Sequence, residues 1–117
     1  MKLDIIELQV KNWEEMVEWY SSILDLKVMV REDDHRFALL RGESGAMLGL
    51  FWVENPTQGS NRFILYFRTD NLENTVNDLK VKAVNIGKIQ IQHWGKQAKI
   101  KDPEGNECYL YEETRNF

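Results

Sequence analysis

A chain of 117 residues, 43% hydrophobic and 29% charged, has the composition of one folded domain with a real core and no room for two ordinary ones. Lys and Arg number 15 against 19 Asp and Glu, a net of −4, which argues against a general nucleic-acid surface. The one cysteine, Cys108, excludes an intramolecular disulfide framework, and no apolar run reaches the length of a membrane span. Met1-Lys2-Leu3-Asp4 leads directly into an alternating pattern, unlike a signal peptide, so a cytoplasmic location is expected.

Leu3 to Val10 reads as a strand, with Asp4, Ile6, Leu8 and Val10 on one face and Leu3, Ile5, Glu7 and Gln9 on the other. Asn12 is a candidate N-cap, with Glu14 and Glu15 placed where the helix dipole favours acids. Trp13, Met16, Val17, Tyr20, Ile23 and Leu24 then recur at helical spacing, ending near Asp25. Leu26 to Val30, Arg36 to Leu40 and Ala46 to Val53 are further strands, separated by Asp33-Asp34-His35 and by Gly42-Glu43-Ser44-Gly45.

Residues 55–61 read as a connection, after which the programme repeats. Phe63 to Thr69 is a strand, and Asp70 or Asn71 caps a helix whose core face is Leu72, Thr75, Val76, Leu79 and Ala83. Asn85 to His93, Lys96 to Lys101 and Glu107 to Glu112 complete the set. Between the last two strands lies Asp102-Pro103-Glu104-Gly105-Asn106, in which Pro103 presets one φ and Gly105 and Asn106 tolerate a positive one. Two βαβββ halves follow, residues 1–54 and 62–117, neither able to bury both faces of its sheet alone.

The DPEGN hairpin before the last strand, Trp19-Tyr20 with Leu24-Asp25-Leu26, and His93-Trp94-Gly95 ahead of Lys101-Asp102-Pro103 together resemble the vicinal-oxygen-chelate superfamily of glyoxalases, bleomycin-resistance proteins and extradiol dioxygenases. Asp25 departs from the usual glycine, though Asp tolerates the left-handed conformation needed there. The resemblance covers the whole chain. It implies an α+β fold: two βαβββ modules forming a curved, barrel-like mixed sheet around a concave cavity, with helices outside.

Metal-dependent members place one ligand on each of four strands. Carried over by motif register, those positions fall on Ile5, Gly49, Ile64 and Tyr109, none an ordinary metal donor. Slips of one or two residues do not rebuild a ligand set, so no metal or other cofactor is expected. Glu112 is read as a solvated strand-end charge. Strand alternation puts Glu7, Gly49, Phe51, Tyr66, Arg68, Tyr109 and Tyr111 on the cavity side, a mostly apolar, aromatic surface suited to a small molecule. The same residues also suit a filled core. His93 beside Trp94 is either a stacking group or a strand end, His35 an exposed turn residue, and Cys108 an inert thiol facing the helix layer. The resemblance implies a metal-free, bleomycin-resistance-like homodimer binding a small apolar or aromatic molecule. The alternative is a metal-dependent glyoxalase- or dioxygenase-like enzyme with an atypical site.

Overall fold

The computed structural model describes residues 1–57 and 63–114, so positions 58–61 of the expected connection lie outside the described residues. Two units divide the chain, Met1–Gln58 and Gly59–Phe117. The fold is the expected α+β one, with two βαβββ modules built on mixed sheets.

In the first unit, β1 (Ile5–Val10) leads to α1 (Trp13–Ser22), then β2 (Lys27–Glu32), β3 (Phe37–Arg41) and β4 (Met47–Trp52). The sheet order is β1-β4-β3-β2, with β1 parallel to β4 and the other pairs antiparallel. Helix α1 forms because Trp13, Met16, Val17 and Tyr20 make one apolar stripe, and all four are buried. Their partners on the sheet are Val10, Ala38, Leu40, Leu48 and Leu50, each buried. Each large side chain so buried contributes roughly 1.5–3 kcal/mol. Trp13 also donates its Nε1–H to the Leu50 carbonyl at 3.0 Å, fixing the helix to β4. Asn12 occupies the N-cap position but makes no side-chain cap hydrogen bond; its backbone carbonyl accepts from Met16 instead, at 3.0 Å. Asp25 takes φ 57°, the left-handed conformation expected where the helix ends.

In the second unit, β5 (Tyr66–Arg68) precedes α2 (Leu72–Val81), followed by β6 (Asn85–Ile86), β7 (Gln90–Gln92), β8 (Gly95–Lys101) and β9 (Glu107–Glu113). The order β5-β9-β8-β6 repeats that of the first unit, with β5 parallel to β9. The Asn85-to-His93 strand is two pieces rather than one. Ile86 pairs with Ile100 and Gln90 with Gln97, so four steps on one strand face three on the other, and the extra residue breaks the ladder as a bulge. His93 lies in the two-residue turn between Gln92 and Gly95, beyond the strand. Asn71, not Asp70, caps α2, its Oδ1 accepting from Asn74 N at 3.0 Å.

The α2 core face is shorter than its spacing predicts. Leu72, Val76 and Leu79 are buried and Thr75 half-buried, but Ala83 is exposed at φ 59°. Ala83 N–H donates to the Lys80 carbonyl and Val84 N–H to that of Leu79, the double bond that closes a helix through a left-handed residue. Ala83 therefore ends the helix instead of packing beneath it.

Candidate functional site

The turn that starts β9 sets the register of everything on it. Asp102, buried at 4% exposure, accepts from Glu104 N and Asn106 N through Oδ1, both at 2.9 Å, and from Asn106 Nδ2 through Oδ2 at 2.8 Å. Gly105 takes φ 82° at the tip. From this turn Lys101 pairs with Glu107, and by counting outward Lys99 pairs with Tyr109 and Gln97 with Tyr111.

Alternation then sorts β8 and β9 into two faces. Ala98, Ile100, Cys108 and Leu110 are buried on the α2 side. The opposite face carries Gln97, Lys99, Tyr109 and Tyr111, joined from β5 by Tyr66, opposite Tyr109, and Arg68, opposite Tyr111. Tyr66 and Tyr109 stack with centroids 5.2 Å apart and planes 14° from parallel. Tyr111 meets Tyr66 edge-on at 5.8 Å, and Trp94 meets Tyr111 edge-on at 5.9 Å. These are favoured aromatic geometries, and Tyr66 remains 48% exposed, so the cluster is a surface a ligand can reach. Lys99 Nζ stands 5.9 Å from the Tyr109 ring and 3.4 Å from Glu107, whose carboxylate holds the ammonium above its ordinary pKa. Trp94, Gln97 and Lys99 belong to this face; the His93-Trp94-Gly95 motif points to the first, whereas neither strand periodicity nor motif register singles out the other two. The signal that finds the last two is the DPEGN turn, which fixes the pairing by count.

On the first unit, Glu7, Gly49 and Phe51 share a face, as the pairs Glu7 with Gly49 and Gln9 with Phe51 require. A Cβ at Gly49 would stand 3.1 Å from Glu7 Cγ and 3.4 Å from the Phe37 ring, so these side chains already use the space glycine leaves. Gln9 Oε1 accepts from Thr57 N at 2.9 Å and holds the chain beyond β4. A recess of about 410 Å³ also lies in this unit, lined by Lys11, Asn12, Trp13, Glu14, Glu15, Arg36 and Trp52. It opens at the start of α1, away from the ladder face expected from alternation. Arg36 covers the Trp52 ring there at 3.8 Å.

Among the four positions aligned with metal ligands, Ile5, Gly49 and Ile64 offer no donor and Tyr109 is engaged in ring stacking. Among the described residues no three His, Cys, Asp or Glu side chains gather as a metal ion requires. The residues present do not fit a divalent cation at the superfamily's site. His93 is exposed in its turn, and His35 is exposed beside Glu32, 3.9 Å away.

Glu112 is not a solvated terminal charge. Its Oε1 accepts from Leu72 N at 2.9 Å, so β9 caps the first turn of α2 across the fold. Lys96, on the same face of the sheet as Glu112, holds Glu73 of that turn at 2.7 Å. This hydrogen bond lowers the Glu73 pKa and raises that of Lys96. Cys108 is buried as expected, and desolvation, then the Asp102 charge, pushes its thiol up to about 12.

The family model for the glyoxalase/bleomycin resistance protein/dioxygenase superfamily matches residues 2–109. Among curated proteins, none matches the sequence. Solved structures share the fold. TnmS3, an antibiotic binding protein from Streptomyces sp. CB03234, is 22% identical with TM-score 0.79, covering 97% of each chain. The bleomycin resistance determinant encoded on the transposon Tn5 is 18% identical with TM-score 0.75, covering 98% of this chain and 100% of its own. A lactoylglutathione lyase from Agrobacterium tumefaciens is 14% identical with TM-score 0.75, covering 95% and 92%.

Proposed function

Because the chain belongs to the glyoxalase/bleomycin resistance protein/dioxygenase superfamily, we propose that it is a metal-independent binding protein that holds a small, planar apolar or aromatic molecule without transforming it. The observation that carries this reading is the half-open cluster of Tyr66, Tyr109, Tyr111 and Trp94, three tyrosines and a tryptophan presenting rings and hydroxyls on one sheet face. Tyr66, Tyr109 and Tyr111 supply the stacking surface and Arg68 a bidentate donor for an acidic or carbonyl group. On the first unit, Phe51 and Glu7, proposed as ligand-facing with Gly49, share a face of their own sheet, Gly49 leaving the room in which Glu7 lies. Two proteins of the same fold, one antibiotic-binding and one a bleomycin resistance determinant, are in keeping with a binding role.

The chain is further proposed to work as a homodimer. Val28, Met29 and Val30 support this, since they leave an apolar strand 38%, 44% and 40% exposed. Sedimentation at micromolar concentration is expected to give a dimer, and a monomer would contradict it.

Calorimetric titration of the purified protein against planar aromatic compounds, with metal content measured in parallel, tests the binding reading. Saturable binding by protein lacking stoichiometric metal is expected. Tyr66→Ala or Tyr109→Ala is expected to weaken it about tenfold, the worth of a lost stacking partner. Stoichiometric divalent metal accompanied by lyase or dioxygenase turnover would contradict it.

A further inference from the structure

Two polar side chains are buried among the described residues, Gln97 at 9% exposure and Asp102 at 4%. Asp102 is accounted for by its turn, both carboxylate oxygens being bound there. Gln97 is not. Its Nε2 donates to Gln90 Oε1 at 3.3 Å, and its carbonyl oxygen has no partner among the described residues. Every fully enclosed side-chain nitrogen or oxygen among them is hydrogen-bonded, so the unused carbonyl of Gln97 must open onto the surface.

That surface is the tyrosine face. Across the sheet, Arg68, Tyr111, Gln97 and Gln90 stand directly opposite one another on four successive strands, and Tyr66, Tyr109 and Lys99 form the neighbouring row. Strands lie about 4.8 Å apart, so a fused two-ring molecule lying over the tyrosines reaches the Gln97 amide with its rim. Gln90 fixes the amide plane. A primary amide held this way presents an acceptor and a donor side by side, matching a partner with a donor beside an acceptor. An apolar residue would fill the place equally well if the face only stacked rings, and a ligand that covers the open carbonyl must replace the hydrogen bond that carbonyl makes to water.

We propose that Gln97 is the specificity-determining residue of the tyrosine face, selecting planar aromatic ligands whose rim carries an N–H donor next to a carbonyl acceptor, as in a fused-ring lactam. This rests on the binding role proposed above. The proposal predicts a preference that stacking alone does not give, because a site built to hydrogen-bond a ligand rejects the analogue lacking the group.

The test compares 2-quinolone with N-methyl-2-quinolone, which keeps the rings and carbonyl but lacks the donor, by calorimetry on the full chain. The wild type is expected to bind 2-quinolone about tenfold more tightly. Gln97→Met, close in shape, is expected to remove that preference, the two compounds then binding within about twofold of each other. Gln90→Met, which leaves Gln97 in place but unanchored, is expected to reduce the preference about threefold and serves if the first variant does not fold. Equal affinities in the wild type, or a preference that survives Gln97→Met, would overturn the role of Gln97 while leaving the binding role standing. Failure of both quinolones and of every other planar aromatic compound to bind would remove the binding role, and this inference with it.

Discussion

Asp102 carries the turn that the whole second sheet is registered by. Removing its carboxylate leaves the Glu104 and Asn106 N–H groups and the Asn106 amide without the acceptor they share. Asp102→Ala is expected to cost about 2–3 kcal/mol in urea unfolding. Ala83 offers the opposite case. A left-handed alanine is strained by roughly 1–2 kcal/mol, and glycine gives back part of that gain as chain entropy, so Ala83→Gly should stabilise by about 0.5–1 kcal/mol. Cys108 gives a pH dependence with a definite sign. Its folded value is raised from the ordinary 9.0 to about 12, so the thiol binds its proton more tightly when folded. That contribution is fully present below pH 9 and is lost as pH rises towards 12. Denaturation midpoints should therefore fall above pH 9 in the wild type and fall less in Cys108→Ala. None of these residue-level details comes from periodicity. Asp102 is legible as a turn former, but spacing alone places Ala83 beneath the helix, in the core.

Between elements, the consequential links are the non-local ones. Glu112 on β9 and Leu72 at the start of α2 are joined by one carboxylate–backbone hydrogen bond. Glu112→Ala is expected to destabilise by about 1 kcal/mol and to speed amide exchange in the first turn of α2, whereas Glu112→Gln keeps the acceptor and loses less. Gly95 is under tighter constraint. A Cβ there would fall on the Glu112 carbonyl, at a φ of 155° that side chains rarely adopt. Strand existence was legible from alternation, and the register of β8 on β9 was implicit in the turn. The bulge between β6 and β7 was not. The extra residue shows only as a change of parity, three residues from Ile86 to Ile89 and two from Ile89 to Ile91, which a break between two separate strands would leave as well. The Glu112 cap is not legible in the sequence, because a carboxylate at a strand end carries no local sign of a helix terminus packed beside it.

Over the whole molecule, one topology occurs twice, with the first strand of each unit parallel to its last. The repeat was visible in the sequence because apolar spacing switches from period two to helical and back in each half. The tyrosines were legible as one face for the same reason. Gln97 was less so: counting from the turn sets it opposite Tyr111, but nothing in a strand glutamine shows that it is buried there. The charge distribution adds little, since the visible ion pairs Lys96–Glu73 and Lys99–Glu107 are exposed and screened.

The claim on which the account turns is that a planar ligand lies on the tyrosine face. Ring-proton NMR of the protein with bound 2-quinolone tests it directly. The account predicts intermolecular contacts from the ligand to the rings of Tyr66, Tyr109 and Tyr111 and to the Gln97 side-chain amide. Contacts confined to the recess lined by Trp13, Arg36 and Trp52, with the tyrosine resonances unmoved, would contradict it.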